Sequence, residues 1–110
     1  MRLTRYYAAE PAAVWAALTE PASLARWLGP MAASFETSVR AAEAGSFVEL
    51  DWVPPGEPPS VVRFELRAEG EGTALVLDHR RVEARLGMRA MRLWERHLAQ
   101  LDAELGAEAA

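Results

Sequence analysis

The stretch GTALVLDHRRVEARLGMRAMRLWERHLAQLDAEL, residues 72–105, changes its hydrophobic period partway along and so decides the fold. Over Thr73 to His79 the side chains alternate, and Leu75, Leu77 and His79 share one side of a strand. From Val82 or Glu83 to about Leu105 the spacing becomes helical. Leu86, Ala90, Leu93, Trp94, His97, Leu98, Leu101 and Leu105 then gather on one side. Arg81, Arg85, Arg89, Arg92 and Arg96 gather opposite them within an arc of about 80°. A strand leading into so two-faced a helix predicts a sheet with one face covered by that helix.

Working outward from this stretch, Ser60 to Arg67, Phe47 to Trp52 and Phe35 to Arg40 also alternate and are expected as strands. Turn chemistry separates them: Ala-Glu-Ala-Gly at 42–45, the Pro- and Gly-rich run at 54–59, and Glu-Gly-Glu-Gly at 69–72. The result is a meander of hairpins. Nearer the start, Leu3 to Tyr7 is β-branched and aromatic and reads as a strand. Glu10-Pro11 and Glu20-Pro21 each open a short helix, because proline suits the first helical position, where its missing N–H would be unpaired anyway. Val14, Trp15 and Leu18 mark the apolar face of the first helix, Leu24, Trp27 and Leu28 that of the second, and Gly29-Pro30 stops it. The expected order is β-α-α-β-β-β-β-α: one α+β domain over 1–110, an antiparallel sheet of about five to six strands packed on a long C-terminal helix.

Half of the 110 residues are hydrophobic and a quarter charged, which suits a chain that folds around a core rather than a disordered one. The absence of cysteine excludes disulfides, thiolate metal sites and a thiol nucleophile. A net charge of −4 argues against electrostatic binding to nucleic acid. All twelve basic residues are Arg, and Lys, Asn and Ile are missing, which reads as the codon bias of a high-GC bacterium rather than as a nucleic-acid signal. No apolar run is long enough to span a bilayer, and the start Met1-Arg2-Leu3-Thr4-Arg5 lacks a signal-peptide pattern, so a cytoplasmic protein without a membrane partner is expected.

Several phrases resemble the family named after the activator of the ninety-kilodalton heat-shock protein's ATPase, within the START, birch-pollen-allergen and polyketide-cyclase superfamily. They are Val14-Trp15-Ala16-Ala17-Leu18-Thr19-Glu20-Pro21, Leu24-Ala25-Arg26-Trp27-Leu28-Gly29-Pro30, Gly72-Thr73-Ala74-Leu75-Val76-Leu77-Asp78-His79, and Trp94 followed by Leu98 and Leu101. The resemblance implies the helix-grip fold, a curved antiparallel sheet holding the last helix with a cavity between. Members commonly carry a further hairpin after the Trp-x-Gly-Pro segment, whereas here Gly29-Pro30 leads directly to Phe35. The resemblance then implies a cavity that is smaller, open at one end, or completed by a second subunit, and the edge left by the missing hairpin leads us to expect a homodimer.

Candidate site residues follow from the faces. His79 and His97 both fall on inward faces, where a near-neutral imidazole could hold a ligand's polar group or move a proton, or could be a hydrogen-bonded core histidine. Trp27, Phe35, Trp52, Phe64 and Trp94, with Trp15, could wall an apolar pocket or simply be core. A metal would need a third ligand on these faces, and there is no phosphate loop, nucleophile elbow or zinc-protease motif, so no metal, cofactor or catalytic residue is expected. The leading expectation is a binding module for a small apolar or amphipathic ligand. A cyclase- or isomerase-like enzyme using a pocket histidine, and a co-chaperone-like interaction domain, are the rivals.

Overall fold

The computed structural model describes residues 1–34, 38–53 and 56–109. Five strands, β1 (Arg2–Tyr7), β2 (Val39–Glu43), β3 (Phe47–Trp52), β4 (Ser60–Glu69) and β5 (Gly72–Arg80), form one antiparallel sheet in the order β1-β5-β4-β3-β2. The last four strands make the expected meander, and β1 pairs beside β5. The register aligns inward side chains into rows: Leu3, Leu77, Phe64 and Val48 in one, and His79, Val62 and Leu50 in another. Because side chains alternate between faces, the opposite face carries the charges. There Glu49 takes Arg80 at 3.1 Å and Arg63 at 3.4 Å, and the Arg63 guanidinium lies 4.0 Å from the centre of the Phe47 ring. Such solvent-facing pairs add little stability.

Three helices cover the inner face: α1 (Pro11–Thr19), α2 (Pro21–Trp27) and α3 (Gly87–Ala109). Both prolines stand at the start of their helices, as the sequence predicts. Val14 and Leu18 of α1, Leu24 and Trp27 of α2, and Trp94, Leu98 and Leu101 of α3 close over Leu50, Val62, Phe64, Leu75 and Leu77 in a single buried cluster. The buried Tyr7 hydroxyl donates to the Leu98 carbonyl at 3.0 Å, tying α3 to the end of β1. Among the described residues, no helix is long and apolar enough to cross a membrane.

Several boundaries differ from the sequence reading, among them the last helix, which runs on past Leu105 to Ala109. Strand β2 runs over Val39–Glu43 instead of beginning at Phe35, and it takes in Ala41, Ala42 and Glu43, expected at or beside the turn; residues 35–37 lie outside the described residues. Alanine is a weak strand former, so here pairing with β3, which slips between Val39 and Ala41, outweighs local preference. Gly29-Pro30 ends α2, with Gly29 at φ 66°, but the chain continues as a tight 3-10 turn over Gly29–Ser34. At the other end Arg81 takes φ 61°, and a 3-10 turn over Ala84–Leu86 precedes α3. The arginine stripe on α3 itself is therefore Arg89, Arg92 and Arg96, while Arg85 pairs with Glu83 at 2.6 Å.

Candidate functional site

Trp94, midway along α3, is the hub of the interior. Its ring lies 5.1 Å from Trp52, 5.7 Å from Phe64, 6.1 Å from His79 and 6.0 Å from His97, all between ring centres. Trp27 joins through Phe64, edge-on at 6.2 Å. The fold therefore brings together Trp27, Trp52, Phe64, His79, Trp94 and His97 as the inward faces predict, whereas Phe35 lies outside the described residues. Offset and edge-to-face contacts at these separations are the favourable geometries for aromatic rings. Most of this aromatic surface is consequently packed against itself.

Polar atoms in such a setting need partners, and accounting for them separates the two histidines. The Trp94 indole N–H donates to His79 Nδ1 at 3.0 Å, so Nδ1 is the bare nitrogen and Nε2 carries the hydrogen. That Nε2–H donates to Ser60 Oγ at 2.7 Å, and the Ser60 hydroxyl donates onward to the Trp52 carbonyl at 3.1 Å. Both nitrogens of His79 are thus engaged within the protein. Burial, aided by the nearby N-terminal ammonium, lowers its pKa to about 4, so the ring is neutral. A cavity of about 20 Å³ adjoins it, lined by Ser60, His79, Leu86 and Ala90 among others. That is space for roughly one water molecule.

His97 is placed differently. Its Nδ1 lies 3.0 Å from the Trp27 carbonyl and 3.2 Å from Gln100 Oε1. A carbonyl can only accept, so Nδ1 carries the hydrogen and the ring satisfies a carbonyl left open at the end of α2. His97 Nε2, on the far side of the ring from that bond, is buried and has no partner among the described residues. The same is true of Trp52 Nε1, whereas the Trp27 indole donates to the Ala17 carbonyl at 2.8 Å. An unpaired indole N–H on the sheet and an unpaired imidazole nitrogen on the helix thus belong to two rings that each contact Trp94.

Ser60 and Gln100 complete these arrangements and were not among the expected site residues. Both had a faint signal: Ser60 shares its strand face with Val62 and Phe64, and Gln100 follows His97 by one helical turn. Neither histidine is hydrogen-bonded to a carboxylate among the described residues. No group of three His, Cys, Asp or Glu among them could hold a metal ion.

The model of the family described as Activator of Hsp90 ATPase homolog 1-like protein matches residues 31–106. The crystal structure of CalU16 from Micromonospora echinospora is similar at 24% identity and a TM-score of 0.80, over 98% of this chain and 76% of that one. Protein MLL2253 from Mesorhizobium loti is 20% identical with a TM-score of 0.81, over 97% and 96%. The AHSA1 protein from Silicibacter pomeroyi is 22% identical with a TM-score of 0.79, over 98% of each chain. No curated protein sequence matches the chain.

Proposed function

The chain belongs to the family of Activator of Hsp90 ATPase homolog 1-like proteins, and from that premise we propose that it is a binding module for a small apolar or amphipathic molecule held between the sheet and α3. The fold class is that of ligand-binding and polyketide-cyclase-like modules, which narrows the function without naming a ligand. What carries the reading is the pair of buried nitrogens without partners, Trp52 Nε1 and His97 Nε2. Leaving such groups unpaired costs about 1–3 kcal/mol each, and a ligand that supplies the missing partners recovers that. In this reading Trp27, Phe35, Phe64 and Trp94 contribute apolar wall, His97 and Trp52 contribute the polar end, and His79 holds Trp94 in place.

The test is a pair of variants, His79→Ala and His97→Ala, each measured for urea unfolding and for quenching of Trp emission by the apolar fluorophore phenylnaphthylamine, whose N–H can meet His97. His97→Ala should weaken binding by about 1–3 kcal/mol, with a smaller effect on stability. His79→Ala should do the reverse. Equal affinity in the parent and both variants would remove the histidine-tipped site.

The proposal also includes a homodimer. It is supported by the two outer strands of the sheet, where Val39 on β2 and Tyr6 on β1 stand 43% and 58% exposed. Open strand edges of this kind readily pair with a second chain.

A further inference from the structure

We infer that the homodimer forms along the open edge of β1, pairing that strand antiparallel with its own copy so that Thr4 lies on the two-fold axis and Arg2 stands opposite the partner's Tyr6. This deepens the homodimer reading above and rests on it. The hydrogen bonds of β1 establish which of its backbone groups are open. Met1 and His79 exchange both of theirs, the Met1 amine donating to the His79 carbonyl at 2.9 Å and the His79 N–H to the Met1 carbonyl at 2.8 Å. Along an antiparallel ladder such exchanging pairs alternate with pairs that exchange none, so in the observed register Leu3, Arg5 and Tyr7 also turn their N–H and C=O toward β5. Arg2, Thr4 and Tyr6 turn theirs off the edge of the sheet, where β1 is the outermost strand. On that side the Thr4 carbonyl is met by the guanidinium of its neighbour Arg5 at 2.9 Å, an exposed bond that a partner's N–H would replace.

The other outer strand is the poorer edge. β2 slips in register between Val39 and Ala41 and carries Arg40 and Glu43, and a bulge with charged residues is a common way of keeping an edge from pairing. β1, by contrast, holds an unbroken register from Arg2 to Tyr7. A second copy centred on Thr4 sets Thr4 against the partner's Thr4 and Arg2 against the partner's Tyr6, which brings every open residue of both edges into an exchanging pair. Sliding the copy by one such pair in either direction leaves Arg2 or Tyr6 without a partner, and sliding it one way also sets Arg5 against the partner's Arg5. The side chains favour the same register. Arg2 and Tyr6 project from the outer face beside Asp78 and Ala74, Tyr6 is exposed, and a guanidinium against a phenol ring is an attractive pair. On the inner face Glu95 reaches Arg5 at 3.9 Å, so its flank of α3 is the one turned to this edge. The exposed Met91 and Met88 precede Glu95 by about one and two helical turns on that flank, and the two-fold axis turns the flanks of the two helices toward each other.

The chain has no cysteine, so single cysteines report the interface directly. Thr4→Cys, Leu3→Cys and Val39→Cys are each treated with a mild oxidant at a concentration where the parent sediments as a dimer. Thr4→Cys should form the covalent dimer about tenfold faster than the other two, because residues directly opposite in an exchanging pair have Cα atoms about 5.5 Å apart, within disulfide range. Thr4→Pro removes an N–H that only a partner strand would use, so it should keep the parent's circular dichroism and sediment as a monomer. Fastest crosslinking at Leu3 or Val39, or a folded Thr4→Pro that remains dimeric, overturns the β1 interface and leaves the homodimer standing. A parent that is monomeric at every concentration overturns the homodimer and this inference together, and leaves the edge to a strand of another protein. If Thr4→Pro does not fold, the order of crosslinking rates decides alone.

Discussion

In the unfolded chain His79 titrates near 6.5, whereas burial in the native protein, with the N-terminal ammonium as a lesser cause, holds it at about 4. Between those values the unfolded chain takes up a proton that the native chain does not, so stability rises with pH across this window and is lost as pH falls through it. From pH 6.5 to 5, where His79 should outweigh the carboxylates, the loss should be about 1.5 kcal/mol. Urea midpoints at those two pH values measure it, and His79→Gln should flatten the difference. Trp94 belongs to the same network through its bond to His79, and it is the most connected ring in the core. Trp94→Ala should cost about 3–5 kcal/mol, as a large-to-small change at a site that cannot collapse. An unchanged denaturation midpoint would contradict the packing of α3 on the sheet.

At the scale of elements, the joint between β1 and β5 is tightly packed at Gly72. A Cβ on Gly72 would run into the Tyr7 carbonyl oxygen and the Tyr6 hydroxyl, so the strands approach as closely as they do only because residue 72 has no side chain. Gly72→Ala should therefore destabilise by about 2 kcal/mol through overpacking, seen as a lowered thermal midpoint. A midpoint equal to the parent's would mean that β1 can move away at no cost. Helices α1 and α2 were legible residue for residue at their starts, because proline states a helix boundary in purely local terms. The limits of β2 were not: Val39-Arg40-Ala41-Ala42-Glu43 carries no strong preference, and the strand exists there because β3 offers it a ladder.

For the whole molecule, the exposed outer strands set the assembly prediction: sedimentation at high protein concentration should return twice the chain mass, and a monomer throughout would remove the homodimer. The local periods of the sequence were enough to determine the α+β class, the meander, the covering helix and the inward placement of Trp27, Trp52, Phe64, His79, Trp94 and His97, because backbone geometry sends each side chain to a face at a fixed spacing. Which of those inward groups would be left without a partner was not written there. His79 finds Trp94 fifteen residues away and Ser60 nineteen away, while His97 finds the Trp27 carbonyl seventy residues away. Such pairings depend on the register of β4 with β5 and on how α3 sits across the end of α2, and no local pattern encodes either. Two histidines that look equivalent on their separate elements thus become one with both ring nitrogens bonded and one with a buried nitrogen left unpaired only when the sheet and the helices are brought together.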